Sequence, residues 1–225
     1  MSHTFPDFCT SLIGSMPRSP ELLQLKAEMA DDPTKVDSYH ERLRSETQEV
    51  LAMQKRAGID VPVSGELDRD NFVSYVAERV DGIRLMAMDE ILAITTDSDS
   101  FKESLQQMDA SDNSMSNPIC VGKIDTEADL NGDEVQLMRE LGATENPAGY
   151  KMTIPSPYIL TRSMWLKEVS KAGYANRKEL GKDVVQLLKN EIHRLVKSGA
   201  SVIQVDEPII SEVVFTREGD DSSFY

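Results

Sequence analysis

The stretch SVIQVDEPI at positions 201–209 is an apolar run that ends on two carboxylates and a proline. A short Val/Ile run reads as a buried strand. Pro208 closes it, since proline lacks the N–H a ladder needs and restricts the residue before it. Asp206 and Glu207 therefore stand where a strand opens into a loop, the edge at which α/β folds bind ligands. Carboxylates taken out of water there call for a cationic ligand group or a metal-bound partner. A solvated strand end is the alternative. A second strand, at 60–66, also ends on a carboxylate, Glu66. An earlier one, at 8–13, runs into Gly14-Ser15-Met16-Pro17, where a glycine lets backbone N–H groups approach an anion.

The elements that must carry these residues alternate between strand and helix patterns, which defines an α/β protein with a parallel sheet. Strands are expected at 8–13, 60–66, 118–124, 150–154 and 201–206. A long helix is expected over 33–57, with Val36, Tyr39, Leu43, Val50, Leu51 and Ala57 near one face and Gly58 as its stop. Shorter helices follow at 71–80 and 134–141. The segment 164–198 is helical with a break near Gly173. Its second half carries the clearest stripe, Val184, Val185, Leu187, Leu188, Ile192, Leu195 and Val196, ahead of Gly199. His193 lies beside that stripe as a surface or packing residue. Residues 87–117 are polar and turn-rich and read as an excursion from the core.

Five strand-helix units suggest a partial (β/α)8 TIM-type barrel, because a closed one takes about 250 residues. The expectation is one domain over residues 1–225, incomplete at its C-terminus.

Composition narrows the function classes. The chain has 225 residues, 40% hydrophobic and 28% charged, as in an ordinary globular protein. Its 24 basic and 39 acidic residues give a net charge of −15, which argues against nucleic-acid and anionic-membrane partners. No apolar run of ~18 residues is present, nor a secretory leader pattern. The two cysteines, Cys9 and Cys120, read as buried free thiols of a cytoplasmic protein. With three scattered histidines they form no local zinc motif.

Four punctuation motifs occur in order: TSLIGSMPR at 10–18, SGELDR at 64–69, IPSPYIL at 154–160 and IQVDEP at 203–208. Together they resemble the catalytic domain of the cobalamin-independent methionine synthases, a family related in fold to uroporphyrinogen decarboxylase. The resemblance implies a methyltransferase of methionine biosynthesis that moves a methyl group onto a homocysteine thiolate activated by Zn²⁺. It implies that Ile13, Gly14 and Ser15 hold the carboxylate of homocysteine or methionine, and that Glu66 and Asp206 hold its ammonium. Gly14-Ser15 as a plain turn and Glu66 as a helix cap are the structural alternatives.

The family's zinc ligands, a His-x-Cys pair, a glutamate and a distant cysteine, follow its Asp-Glu-Pro strand. They are expected beyond Tyr225, so the chain reads as an N-terminal portion of the domain. Positions answering to the family's pterin contacts hold Asn113-Ser114 and Ser163, with Trp165 two places away. The methyl donor is thus open between a folate and a corrinoid protein. A non-catalytic amino-acid- or partner-binding partial barrel is the rival reading. A uroporphyrinogen-decarboxylase activity is disfavoured, since Glu66 and Asp206 would repel a substrate rich in carboxylates.

Overall fold

Helix α1, Pro20–Asp31, starts where Ser19 accepts the Leu22 N–H at 3.1 Å and Pro20 supplies a preset φ at the first position. Helix α2, Val36–Ala57, follows a 3-10 turn over Pro33–Lys35 and stops at Gly58, whose φ of 75° an L side chain resists. The computed structural model describes residues 3–95 and 116–209, in which helices and strands mix as an α/β protein. They fall into two compact units. The first comprises residues 3–72, 129–154 and 189–204, and the second 73–95, 116–128, 155–188 and 205–209.

In the first unit, Leu22, Tyr39, Leu43 and Leu67 form the buried cluster that α1 and α2 close over, with Met16, Val50 and Leu137 at its margin. The extended segments lie side by side. Ser11 and Val61 form a parallel bridge, and the Lys151 N–H reaches the Pro62 carbonyl at 2.9 Å. Strands at 8–13 and 60–66 were expected, yet their pairing shrinks to that one bridge. The reason is a side chain. Gln54 of α2 accepts the Val63 N–H at 3.0 Å and donates to its carbonyl at 2.8 Å, taking both ladder positions of that residue.

Strands β3, Lys151–Pro155, and β4, Val202–Asp206, form a two-stranded sheet. Ser201 and Val202 donate to the Tyr150 carbonyl at one end and Ser156 donates to Asp206 at the other, so the strands run in one direction. Helix α4, Gly132–Glu140, precedes β3 in the first unit.

The second unit begins with a 3-10 helix over Ser74–Glu78, shorter than the helix expected at 71–80, followed by β1, Ile83–Met86, helix α3, Met88–Ile94, and β2, Asn117–Cys120. The parallel third strand expected at 118–124 is corrected here. β2 pairs antiparallel with β1, Ile83 opposite Cys120. The short IRLM segment at 83–86 lies below the length at which its own pattern separates strand from helix. Met86, Ile91, Ile119 and Leu166 make this unit's core cluster. Of the polar segment 87–117, residues 96–115 lie outside the described residues.

Helices α5, Pro157–Met164, α6, Lys167–Ser170, and α7, Arg177–Ser198, complete the chain up to β4. Val184, Leu187, Leu188 and Leu195 of α7 are buried as its stripe requires, whereas Val185 and Val196 are exposed. His193 is exposed on the helix surface. Among the described residues no helix is long and apolar enough to cross a membrane.

Candidate functional site

Two loops of the first unit dock against each other. The Met16 N–H donates to the Gly65 carbonyl at 2.9 Å, which brings Gly14 onto Glu66. The approach leaves no room for a side chain on Gly14. A Cβ there would lie 2.3 Å from Glu66 Oε1 and 3.5 Å from Thr153 Cγ2. Gly14 is buried, while Ile13 and Ser15 beside it are exposed. Among the described residues, no protein acceptor meets the N–H groups of Ile13, Gly14 and Ser15. Three donors and a carboxylate thus share one small region.

Glu66 is held in a costly conformation. Its φ is 54°, a left-handed value that a non-glycine residue avoids at a cost of about 1–3 kcal/mol. Its side chain is only 9% exposed. The Thr153 hydroxyl donates to Oε1 at 2.5 Å, and the Arg69 guanidinium stands 3.8 Å away.

Arg69, which the sequence reading left without a role, organises the surroundings. It is 3% exposed. It donates to Thr153 Oγ1 and to the Thr153 carbonyl, each at 3.0 Å, and to Glu134 Oε2 at 2.7 Å. Glu134, in the first turn of α4, also accepts the Ser64 hydroxyl. One guanidinium here faces two carboxylates, Glu66 and Glu134. The signal available in the sequence was the arginine closing SGELDR, next to a carboxylate that has to be neutralised.

Asn131 links this network to α7. In the orientation that satisfies its whole amide, it accepts from Arg69 Nη2 at 2.8 Å and donates to Glu191 Oε1 at 2.9 Å. Glu191 is fully buried, with Arg194 Nε at 3.0 Å. Burial pushes its carboxyl above the ordinary value of 4.5, against the opposing pull of Arg194 and the Leu130 N–H. A raised folded-state value means that stability from this group is complete below pH 4.5 and is lost as pH rises through the raised value. Glu191→Gln is therefore expected to gain stability relative to the parent at pH 8 and to gain less at pH 5.5. Urea unfolding at both pH values checks this, and a pH-independent difference sinks it.

The remaining carboxylates separate in role. Asp206 ends β4 in the second unit, half-buried, its carbonyl accepting the Ser156 N–H at 2.9 Å. Glu207 beside it caps α5: its carboxylate accepts the Ser156 hydroxyl and the Ile159 N–H, the latter at 3.2 Å. A helix N-terminus, not a ligand, stabilises that charge. The structure thus brings Ile13, Gly14, Ser15 and Glu66 together in the first unit and carries Asp206 in the second.

A groove of about 400 Å³ lies elsewhere in the first unit, between α2 and α4, with His40, Arg44, Asp68 and Glu140 on its walls. It shares Ser64 and Glu134 with the network but not Gly14 or Glu66. Among the described residues no three His, Cys, Asp or Glu side chains are arranged to hold a metal ion. Cys9 is exposed, against expectation, and Cys120 is buried. Burial pushes the Cys120 thiol up, which opposes the thiolate form that binds metals.

A family model described as the catalytic domain of cobalamin-independent synthase matches residues 8–225. The chain belongs to that family. It is 26% identical over 219 residues to a 5-methyltetrahydropteroyltriglutamate–homocysteine methyltransferase of Streptomyces coelicolor, covering 97% of this chain and 25% of that protein. It is 28% identical over 209 residues to a methionine synthase of Sulfurisphaera tokodaii, covering 91% of this chain and 53% of that one. The chain thus spans about a quarter of the length of the first relative and about half of the second. Its fold resembles that of a B12-independent methionine synthase from Shewanella sp. W3-18-1, solved with selenomethionine. The TM-score is 0.57 at 18% identity, over 88% of this chain and 51% of that one. A family described as cobalamin-independent gives no support to a corrinoid donor.

Proposed function

We propose that this chain forms the amino-acid-binding part of a homocysteine S-methyltransferase, with the segments at 8–13 and 60–66, β3 and β4 contributing to a (β/α)8-type barrel. One observation carries the reading. The Glu66 carboxylate packs on Gly14, within the run 13–15 whose N–H groups meet no protein acceptor among the described residues, and this pairing suits the two charged ends of an α-amino acid. The donors suit a carboxylate and Glu66 suits an ammonium, each by a charge-assisted hydrogen bond. Asp206, which ends β4, is proposed as an ammonium acceptor on the family resemblance alone. A related protein solved with selenomethionine, a methionine analogue, supports the same ligand class.

The methyl donor, taken from the names of the relatives, is a methyltetrahydropteroyl-oligoglutamate. Zinc is the metal implied for such a reaction, where it serves to deprotonate the thiol. The described residues of this chain do not fit a zinc site, so no step assigned to them passes through one. Their work is to hold homocysteine by its amino-acid end so that its sulfur meets the donor in line.

Calorimetric titration with L-methionine tests the reading through Gly14→Ala. The added Cβ collides with Glu66 Oε1, and Thr153 opposes the shift that would relieve it. A loss of affinity of about tenfold or more is expected, roughly 1.4 kcal/mol. An alanine variant that binds L-methionine as tightly as the parent refutes the site.

A further inference from the structure

We propose that Lys151 is the positioning residue of the carboxylate subsite, holding the carbonyls of Leu12 and Ile13 so that the next N–H groups turn toward the ligand. The inference rests on the amino-acid reading above and adds a residue to it. Lys151 opens β3 and is 6% exposed, an unusual place for an ammonium. Its Nζ donates to the Leu12 carbonyl, to the Ile13 carbonyl at 3.1 Å and to Gln204 Oε1 at 2.6 Å.

Peptide geometry transmits that grip. A trans peptide is planar, so its N–H points opposite to its C=O. Fixing the Leu12 carbonyl on Lys151 therefore fixes the Ile13 N–H, and fixing the Ile13 carbonyl fixes the Gly14 N–H. Both point away from the ammonium. A cation bound to the carbonyl end also polarises each peptide and makes its N–H a stronger donor. The charge thus reaches the subsite through two peptide groups. A lysine at the head of the buried strand KMTIP was its signal in the sequence.

The test separates the carboxylate from the rest of the ligand. L-methioninol keeps the ammonium and thioether of L-methionine and lacks the carboxylate. Both are titrated into the full chain as parent, Lys151→Met and Lys151→Arg, each first checked for a cooperative melt. The parent is expected to prefer L-methionine. In Lys151→Met, L-methionine affinity is expected to fall by about tenfold or more, that of L-methioninol by less than about threefold, so the preference shrinks. Lys151→Arg keeps a charge and donors and is expected to restore part of the preference; it carries the test if the methionine variant does not fold. An equal loss of both ligands, or an unchanged preference, overturns the positioning role, as does a folded Lys151→Arg with no preference at all. A parent that binds neither ligand sinks the amino-acid reading itself, a distinct outcome.

Discussion

Arg69→Met is expected to lower the folding stability by about 3–5 kcal/mol, the usual cost of removing one partner from a buried ion pair. Methionine fills much of the volume, so the loss comes from charge rather than packing. It strands Glu134, whose Oε2 stands 2.7 Å from Arg69 Nη2, and leaves the Thr153 carbonyl without its donor. Glu66, 3.8 Å from the guanidinium, loses its nearest cation in this network. For a chain of this size the melting point should drop by about 6–20 °C. Arg69→Lys should recover only part of this, because an ammonium cannot reproduce the planar fork that serves Glu134 and Thr153 together. Adding Glu134→Gln to Arg69→Met should return some of the lost stability, since the stranded charge is then gone. A melt of Arg69→Met within about 1 °C of the parent would refute the network.

Glu66→Gln is expected to weaken L-methionine binding by about ten- to a hundredfold, the loss of one charge-assisted contact of about 1.5–3 kcal/mol. The change keeps the shape of the side chain and, through its carbonyl oxygen, the bond from the Thr153 hydroxyl. Stability should change far less than affinity. The backbone at Glu66, with φ of 54°, stays strained in either variant. Strain of this kind at a largely buried carboxylate is what a site under functional constraint displays. Calorimetry of parent and variant decides the matter: equal affinities would leave Glu66 as a structural partner of Thr153 and Arg69 and nothing more.

The two substitutions differ in what they disturb. Arg69 sits behind the site and touches no proposed ligand atom, so its loss should appear first in the melt. Glu66 belongs to the proposed ligand site, so its loss should appear first in the titration. Reversal of that order would mean that the roles have been exchanged.

Much was legible in residue order alone. The stops at Gly58 and Gly199, the α7 stripe of Val184, Leu187, Leu188 and Leu195, and the strand running into Asp206 follow from local rules of cap, period and proline. So did the family, because each of the four motifs is a short unbroken run and they appear in order. Pairing partners were beyond such reading. Strand 118–124 was legible as a strand, but its antiparallel neighbour, β1 at Ile83–Met86, is too short to announce itself. Nor does any local pattern say that Gln54 will occupy the ladder positions of Val63.

The same division runs through the site. Gly14 and Glu66 were marked by their own loops, each with a glycine beside a polar residue at a strand end. What each carboxylate does depended on atoms far along the chain. Glu207 looked equivalent to Asp206 in sequence, yet Ser156 and Ile159, some fifty positions earlier, turn it into a helix cap. Arg69 and Lys151 carried no local signature of their partners: Glu134, Thr153 and the Leu12 carbonyl are 65, 84 and 139 positions away. A residue's conformation is set mainly by its neighbours in sequence, so turns and helices could be read directly. The partner that compensates a buried charge is chosen by packing, and only the tertiary structure decides it.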